Sequence, residues 1–167
     1  LILPLFLHRF SPFSSLFLCK LDEKSFIQAQ GEFGLDDYDH SSSYTYIDMD
    51  RDGDLDIIAN TLYGPFKVYT NNNTEGNSVT IKLIDEKGNR FCLGCTLIVH
   101  YGSEDKRQQM REIKMGGGFH SYDAPIAHFG LGLYETIQQI EIIWSNGKVS
   151  TIQHEFLANH EYTIHRH

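Results

Sequence analysis

Residues 46–60 read YIDMDRDGDLDIIAN and carry five aspartates at alternate positions, Asp48, Asp50, Asp52, Asp54 and Asp56. Like charges this close oppose folding: one pair about 4 Å apart costs on the order of 4 kcal/mol at an effective dielectric of about 20. A chain that keeps such a cluster beside an apolar strand needs something to neutralise it. Counted from Asp48, the acids stand at positions 1, 3, 5, 7 and 9, and Gly53 stands at position 6. Alternate residues of a tight loop turn inward toward one point, and a glycine at position 6 permits the reversal that brings the next carbonyl to the same point. Hard oxygen donors in this spacing suit Ca²⁺, which takes about six to eight of them, better than Mg²⁺, which demands stricter octahedral geometry. The expected ligands are the side chains of Asp48, Asp50, Asp52 and Asp56 and the main-chain carbonyl of Asp54. An EF-hand needs an acid at position 12 and a helix after it. Position 12 here is Ala59, and a β-type run follows instead.

The same acids dominate the charge of the 167-residue chain. Residues 32–56 hold nine acids and one base, so this window carries the whole formal net charge of -8 and leaves thirteen of each sign elsewhere. So local an acidic patch repels nucleic acid and anionic lipid and attracts cations. No nucleic-acid partner is expected.

Outside the loop the pattern is that of short strands. SYTYID, LDIIAN and FKVYTN flank the aspartates. VTIKLI (79–84), CTLIVHY (95–101), QMREIKM (109–115), IQQIEIIW (137–144), KVSTIQ (148–153) and EYTIHR (161–166) follow, with turn residues between them. Asn146-Gly147 between two apolar runs marks a hairpin. No segment sustains helical periodicity, so the fold expected is all-β. The polar stretch NNNTEGNS (71–78) sets the domain boundary: an apolar N-terminal segment over 1–25, a repeat with the metal loop over 26–73, and a β-sandwich-like domain over 74–167.

CLGC (92–95) is a lone C-x-x-C; with no second pair it makes a poor zinc site, and it reads as two small apolar residues around a glycine rather than a redox or disulfide pair. HFGLG (128–132) reads as a tight turn with Phe129 packed. GGGFHSYDAP (116–125) reads as a turn or bulge that brings Phe119 and Tyr122 over the core. HEFLANHE (154–161) fails as a zinc-protease motif, because the second histidine stands at i+6 rather than i+4. Asn72-Asn73-Thr74 is a glycosylation sequon that matters in a eukaryotic secreted protein. The N-terminal LILPLFLHRFSPF is either a signal-peptide remnant or a clipped preceding unit; Pro4, Pro12 and His8-Arg9 argue against a membrane span.

Two resemblances follow from these residues. The D-x-D-x-D-G-x-x-D loop between strands, with FIQAQGEFGL before it and DGDLDIIANTLYGPFKVYTNN through it, resembles the FG-GAP/VCBS repeat of β-propellers. GNRFCLGCTLIVHYG, GGGFHSYDAPIAHFGLG and IEIIWSNGKV resemble the ASPIC/UnbV domain that follows such repeats, an arrangement shared by cartilage acidic protein-like matrix proteins and by bacterial secreted proteins. The resemblance implies one propeller-type blade followed by a β-sandwich-like domain. It implies a secreted or extracellular setting, or a periplasmic or cell-surface one in a bacterium. With one strong metal loop and no catalytic constellation in the sequence, the leading expectation is a non-enzymatic calcium-binding module whose partner is an extracellular protein or glycan. Two other readings stand beside it: an accessory protein in a biosynthetic enzyme system, and a structural cap on a larger propeller.

Overall fold

A computed structural model of the chain describes residues 5–6, 17–20, 25–28, 31, 34–35, 41–73, 75–86, 88–118 and 120–166. Most of the 1–25 segment, Asp36, Asp37, Asp39, Thr74 of the sequon and Phe119 fall outside those residues. Every regular element described is a β-strand. A first sheet joins β1 (Leu5–Phe6), β2 (Phe17–Lys20) and β3 (Phe26–Gln28). A second joins β4 (Ser41–Ile47), β5 (Asp56–Thr61) and β6 (Lys67–Tyr69), all antiparallel.

The C-terminal part is built from β7 (Asn77–Ile84), β8 (Thr96–Tyr101), β9 (Arg107–Glu112), β10 (Gly116–Gly118), β11 (Ser121–Tyr122), β12 (Ala127–Gly132), β13 (Thr136–Ile143), β14 (Val149–Leu157) and β15 (His160–His165). Two sheets, β12-β7-β15 and β14-β13-β8-β9, share one core. Val79, Ile81 and Leu83 of β7, Leu97 and Val99 of β8, and Ala127, Phe129 and Leu131 of β12 alternate into it with almost no exposure. Period-2 burial of this kind puts every second side chain on the inner face of a sandwich. On β13 the buried residues are Ile137, Ile140 and Ile142. The pairing shifts between Ile137 and Gln139, and that bulge lets residues three apart face the same core. Strands β13 and β14 are joined through 145–147, where Trp144 N donates to the Lys148 carbonyl at 2.8 Å and Gly147 takes a φ of 81°.

Three readings of the sequence are corrected here. HFGLG is a strand rather than a turn: Gly130 stands opposite Ser78 inside the β12–β7 pair, and the alternation of Ala127, Phe129 and Leu131 outweighs the turn signal of the glycines. Phe129 is packed as expected. Tyr122 does not cover the core; it is 76% exposed, because β10 and β11 form a separate hairpin outside the sandwich. Cys92 and Cys95 are joined by a disulfide as well as fully buried. The turn around Gly94 (φ 78°) sets their Cα atoms 5.4 Å apart, within bridging range.

Candidate metal centre

Strands β4 and β5 are paired from Ser41↔Thr61 to Ile47↔Asp56, so residues 48–55 form the loop of one hairpin. Short side chains knit that loop together. Asp52 N donates to Asp50 Oδ1 at 3.4 Å, Asp54 N to Asp52 Oδ1 at 3.1 Å, and Gly53 N to Asp48 Oδ2 at 3.2 Å. Aspartates favour such turns because the carboxylate can accept from a backbone N–H two residues on. Arg51 and Gly53 both take positive φ, 63° and 97°. The left-handed region is uncommon for arginine and easy for glycine.

The five sequence-predicted residues divide into two sets. Asp48, Asp50 and Asp52 each offer a carboxylate oxygen, and these oxygens lie within 4.8 Å of one another. Two oxygens bound about 2.4 Å from one Ca²⁺ can be no more than about 4.8 Å apart, and the triad meets that bound. Asp48 Oδ1 and Asp54 Oδ1 are buried and have no hydrogen-bond partner among the described residues, which leaves acceptor capacity for a cation. The donor set is therefore compatible with a hard divalent ion.

Asp56 and Asp54 hold the frame. Asp56 is fully buried, and its carboxylate accepts Met49 N at 2.8 Å on Oδ2 and Asn71 N at 2.9 Å on Oδ1. Asp54 Oδ2 accepts Asn73 N at 3.0 Å. Burial pushes the Asp54 carboxyl up; the Asn73 N–H opposes that, and the nearby Asp52, Asp56 and Asp50 charges add to it. The asparagine-rich stretch after β6 is thus bonded to the loop through Asn71 and Asn73.

The C-terminal domain reaches the same hairpin. Ser78 Oγ donates to the Gly53 carbonyl at 2.5 Å, and His128 Nε2 lies 3.0 Å from that oxygen. A carbonyl can only accept, so the Nε2-protonated tautomer is assigned from this bond. Burial lowers the His128 pKa, against the opposing pull of the Gly53 carbonyl and Asp48, while Arg111 lowers it further. On β4 of the same hairpin, Tyr44 N donates to Ser121 Oγ at 3.2 Å. Thr45 Oγ1 sits 2.9 Å from Asp123 Oδ1 and 3.0 Å from the Tyr122 carbonyl, and its one proton can serve either. Reading the sequence assigned neither Ser78 nor His128 to the metal loop. Ser78 closes the polar stretch NNNTEGNS and His128 stands in the apolar strand β12, and neither has a local signal of what it faces.

No helix among the described residues is long and apolar enough to cross a membrane. Residues 85–167 match the family model described as ASPIC and UnbV, so an ASPIC/UnbV domain is present in the C-terminal part of the chain. The matched stretch begins just after β7, the middle strand of its sheet. No curated protein matches the chain.

Proposed function

We propose that this chain, with its ASPIC/UnbV domain at residues 85–167, is a calcium-stabilised, non-catalytic interaction module that works outside the cytoplasm. The observation that carries the reading is the Asp48–Asp50–Asp52 triad, whose oxygens lie within 4.8 Å of one another in a hairpin loop whose own amides bond the Asp48 and Asp52 carboxylates. A bound Ca²⁺ would supply positive charge there, with Asp48, Asp50 and Asp52 as the residues that would hold it; the loop amides orient Asp48 and Asp52, and Asp56 ties the loop to the strand. The preceding unit is taken as an FG-GAP/VCBS-type repeat on its D-x-D-x-D-G-x-x-D spacing. Its partner would be an extracellular protein or glycan. The buried disulfide supports an oxidising compartment, since such bonds are rare in the cytosol of mesophiles. It also weighs against the alternative of an accessory role in an enzyme system that works through a free thiolate at Cys92 or Cys95.

The test is thermal unfolding of the full chain in EDTA, in millimolar CaCl₂ and in millimolar MgCl₂. At free Ca²⁺ about 100 times Kd the fold should gain roughly 2.7 kcal/mol by linkage. The gain should be specific to calcium and absent from an Asp48→Ala, Asp52→Ala double variant. Equal melting curves in EDTA and CaCl₂ would end the calcium reading.

A further inference from the structure

Ser78 and His128 both end on one atom of the metal loop, the Gly53 carbonyl oxygen. They stand on neighbouring strands of one sheet: His128 of β12 pairs with Thr80 of β7, and Gly130 pairs with Ser78. Ser78 is 7% exposed and His128 is half-buried, so this contact lies within the junction. Gly53 makes the approach possible. A Cβ there would lie 3.0 Å from Ser78 Oγ, and φ is already +97°.

The carbonyl of residue 53 and the N–H of residue 54 belong to one planar peptide unit. Fixing the carbonyl therefore fixes the direction of the Asp54 N–H, which donates to Asp52 Oδ1 at 3.1 Å. On the other side of the same residue, Gly53 N donates to Asp48 Oδ2 at 3.2 Å. Asp52 is thus oriented through the one peptide unit that the C-terminal domain holds, while Asp48 is bonded by the preceding unit, next to it along the chain.

We propose that Ser78 and His128 are positioning residues for the cation loop, and that they link cation binding to the C-terminal sheet. The proposal rests on the calcium reading of the loop. Linkage between two sites is reciprocal, so calcium in the loop stabilises the β12–β7 pairing by the same factor that the pairing improves calcium affinity.

The experiment uses full-length Ser78→Ala, His128→Leu and His128→Gln. Leu97→Ala serves as a control that destabilises the core away from the junction. In EDTA, amide exchange at residues 52–54 should be about 3- to 10-fold faster in Ser78→Ala and His128→Leu than in the wild type, the loss of one ordinary hydrogen bond. Titration with CaCl₂ should show a Kd weakened by a similar 3- to 10-fold. His128→Gln, whose side-chain amide can donate in place of Nε2–H, should stay near the wild type in both. Leu97→Ala should lower the melting temperature and leave Kd unchanged. Unchanged exchange and unchanged Kd in Ser78→Ala and His128→Leu would overturn the proposal, as would a Leu97→Ala Kd that rises as far as theirs. If the wild type binds no calcium, the calcium reading fails, and with it the positioning role; the exchange arm still reports whether the clamp itself exists.

Discussion

Replacing Arg166 by alanine should cost the fold about 3 kcal/mol, as expected for breaking a buried ion pair. Arg166 follows β15, and its backbone N donates to the Ile84 carbonyl at 2.9 Å. Its Nη1 reaches Asp85 Oδ1 at 2.8 Å, and its guanidinium lies 5.0 Å from the centre of the Trp144 ring. The two side chains are only 10% and 3% exposed. Removing one partner of a buried pair costs about 3–5 kcal/mol, against about 0–1 for an exposed pair. The lower end applies because Asp85 keeps the Glu86 N–H at 2.8 Å and the Ser145 hydroxyl at 3.3 Å. Arg166→Met retains an apolar stem over Trp144 and isolates the charge. Adding Asp85→Asn to it removes both charges and should recover most of the loss. Urea unfolding followed by far-UV circular dichroism should show a midpoint lowered by about 1.5 M for Arg166→Ala at a typical slope of about 2 kcal/mol/M. The pH dependence gives a second check. Burial pushes the Asp85 carboxyl up, but the Arg166, Glu86 N–H and Ser145 bonds outweigh it and hold the pKa below the ordinary range. A lowered carboxyl stabilises the fold above its unfolded pKa, and that stability is lost as pH falls through the folded pKa. Without Arg166, burial acts against less opposition, so the gap between variant and wild type should narrow from about pH 7 to about pH 3. A loss below about 1 kcal/mol at neutral pH would refute the reasoning and class the pair with exposed ones.

Two further outcomes are expected. Asp56→Asn leaves one of the Met49 and Asn71 amides facing an NH₂ group instead of an oxygen. It should cost about 1–3 kcal/mol in EDTA, where no cation contributes; thermal melts without metal check this, and an unchanged melt would mean that the two bonds do not hold the loop. Replacing Cys92 and Cys95 together by alanine opens a very short covalent loop, so chain entropy predicts a loss of only about 2 kcal/mol and a domain that still folds. Denaturant midpoints of the oxidised wild type and the double variant measure it.

Much of the sandwich was legible because its strands alternate over enough residues to declare a period. β7, β8 and β13 are plain in VTIKLI, TLIVHY and IQQIEII. β12 was hidden because Gly130 and Gly132 look like turn punctuation, while the fact that decides the matter, the partner strand β7, lies some fifty residues earlier. The aspartate spacing announced a loop with inward oxygens. It could not reveal that both oxygens of Asp56 take backbone amides, one of them from Asn71, because that bond spans 15 residues. Ser78 and His128 were silent for the same reason: each is one polar residue whose role depends on a loop far from it in sequence. The half-cystines were visible as a pair, but packing and bridging look alike in a sequence until the turn geometry is known.

The position of β7 has a consequence for biosynthesis. It is the first strand of the C-terminal domain to be made, yet both its neighbours come later: β12, and then β15, which lies parallel to it. Where the last strand docks, Ser78 N takes the side chain of Asn159 as acceptor, 81 residues further on. A ribosome-bound intermediate therefore carries an apolar strand with one edge unpaired from its own synthesis until β15 has been made. Pairings this distant form slowly, and a waiting edge invites intermolecular pairing. Yield in a recombinant host should therefore depend less on native stability than on how well that strand is shielded, by chaperones or by rapid synthesis of the intervening strands, before β15 arrives.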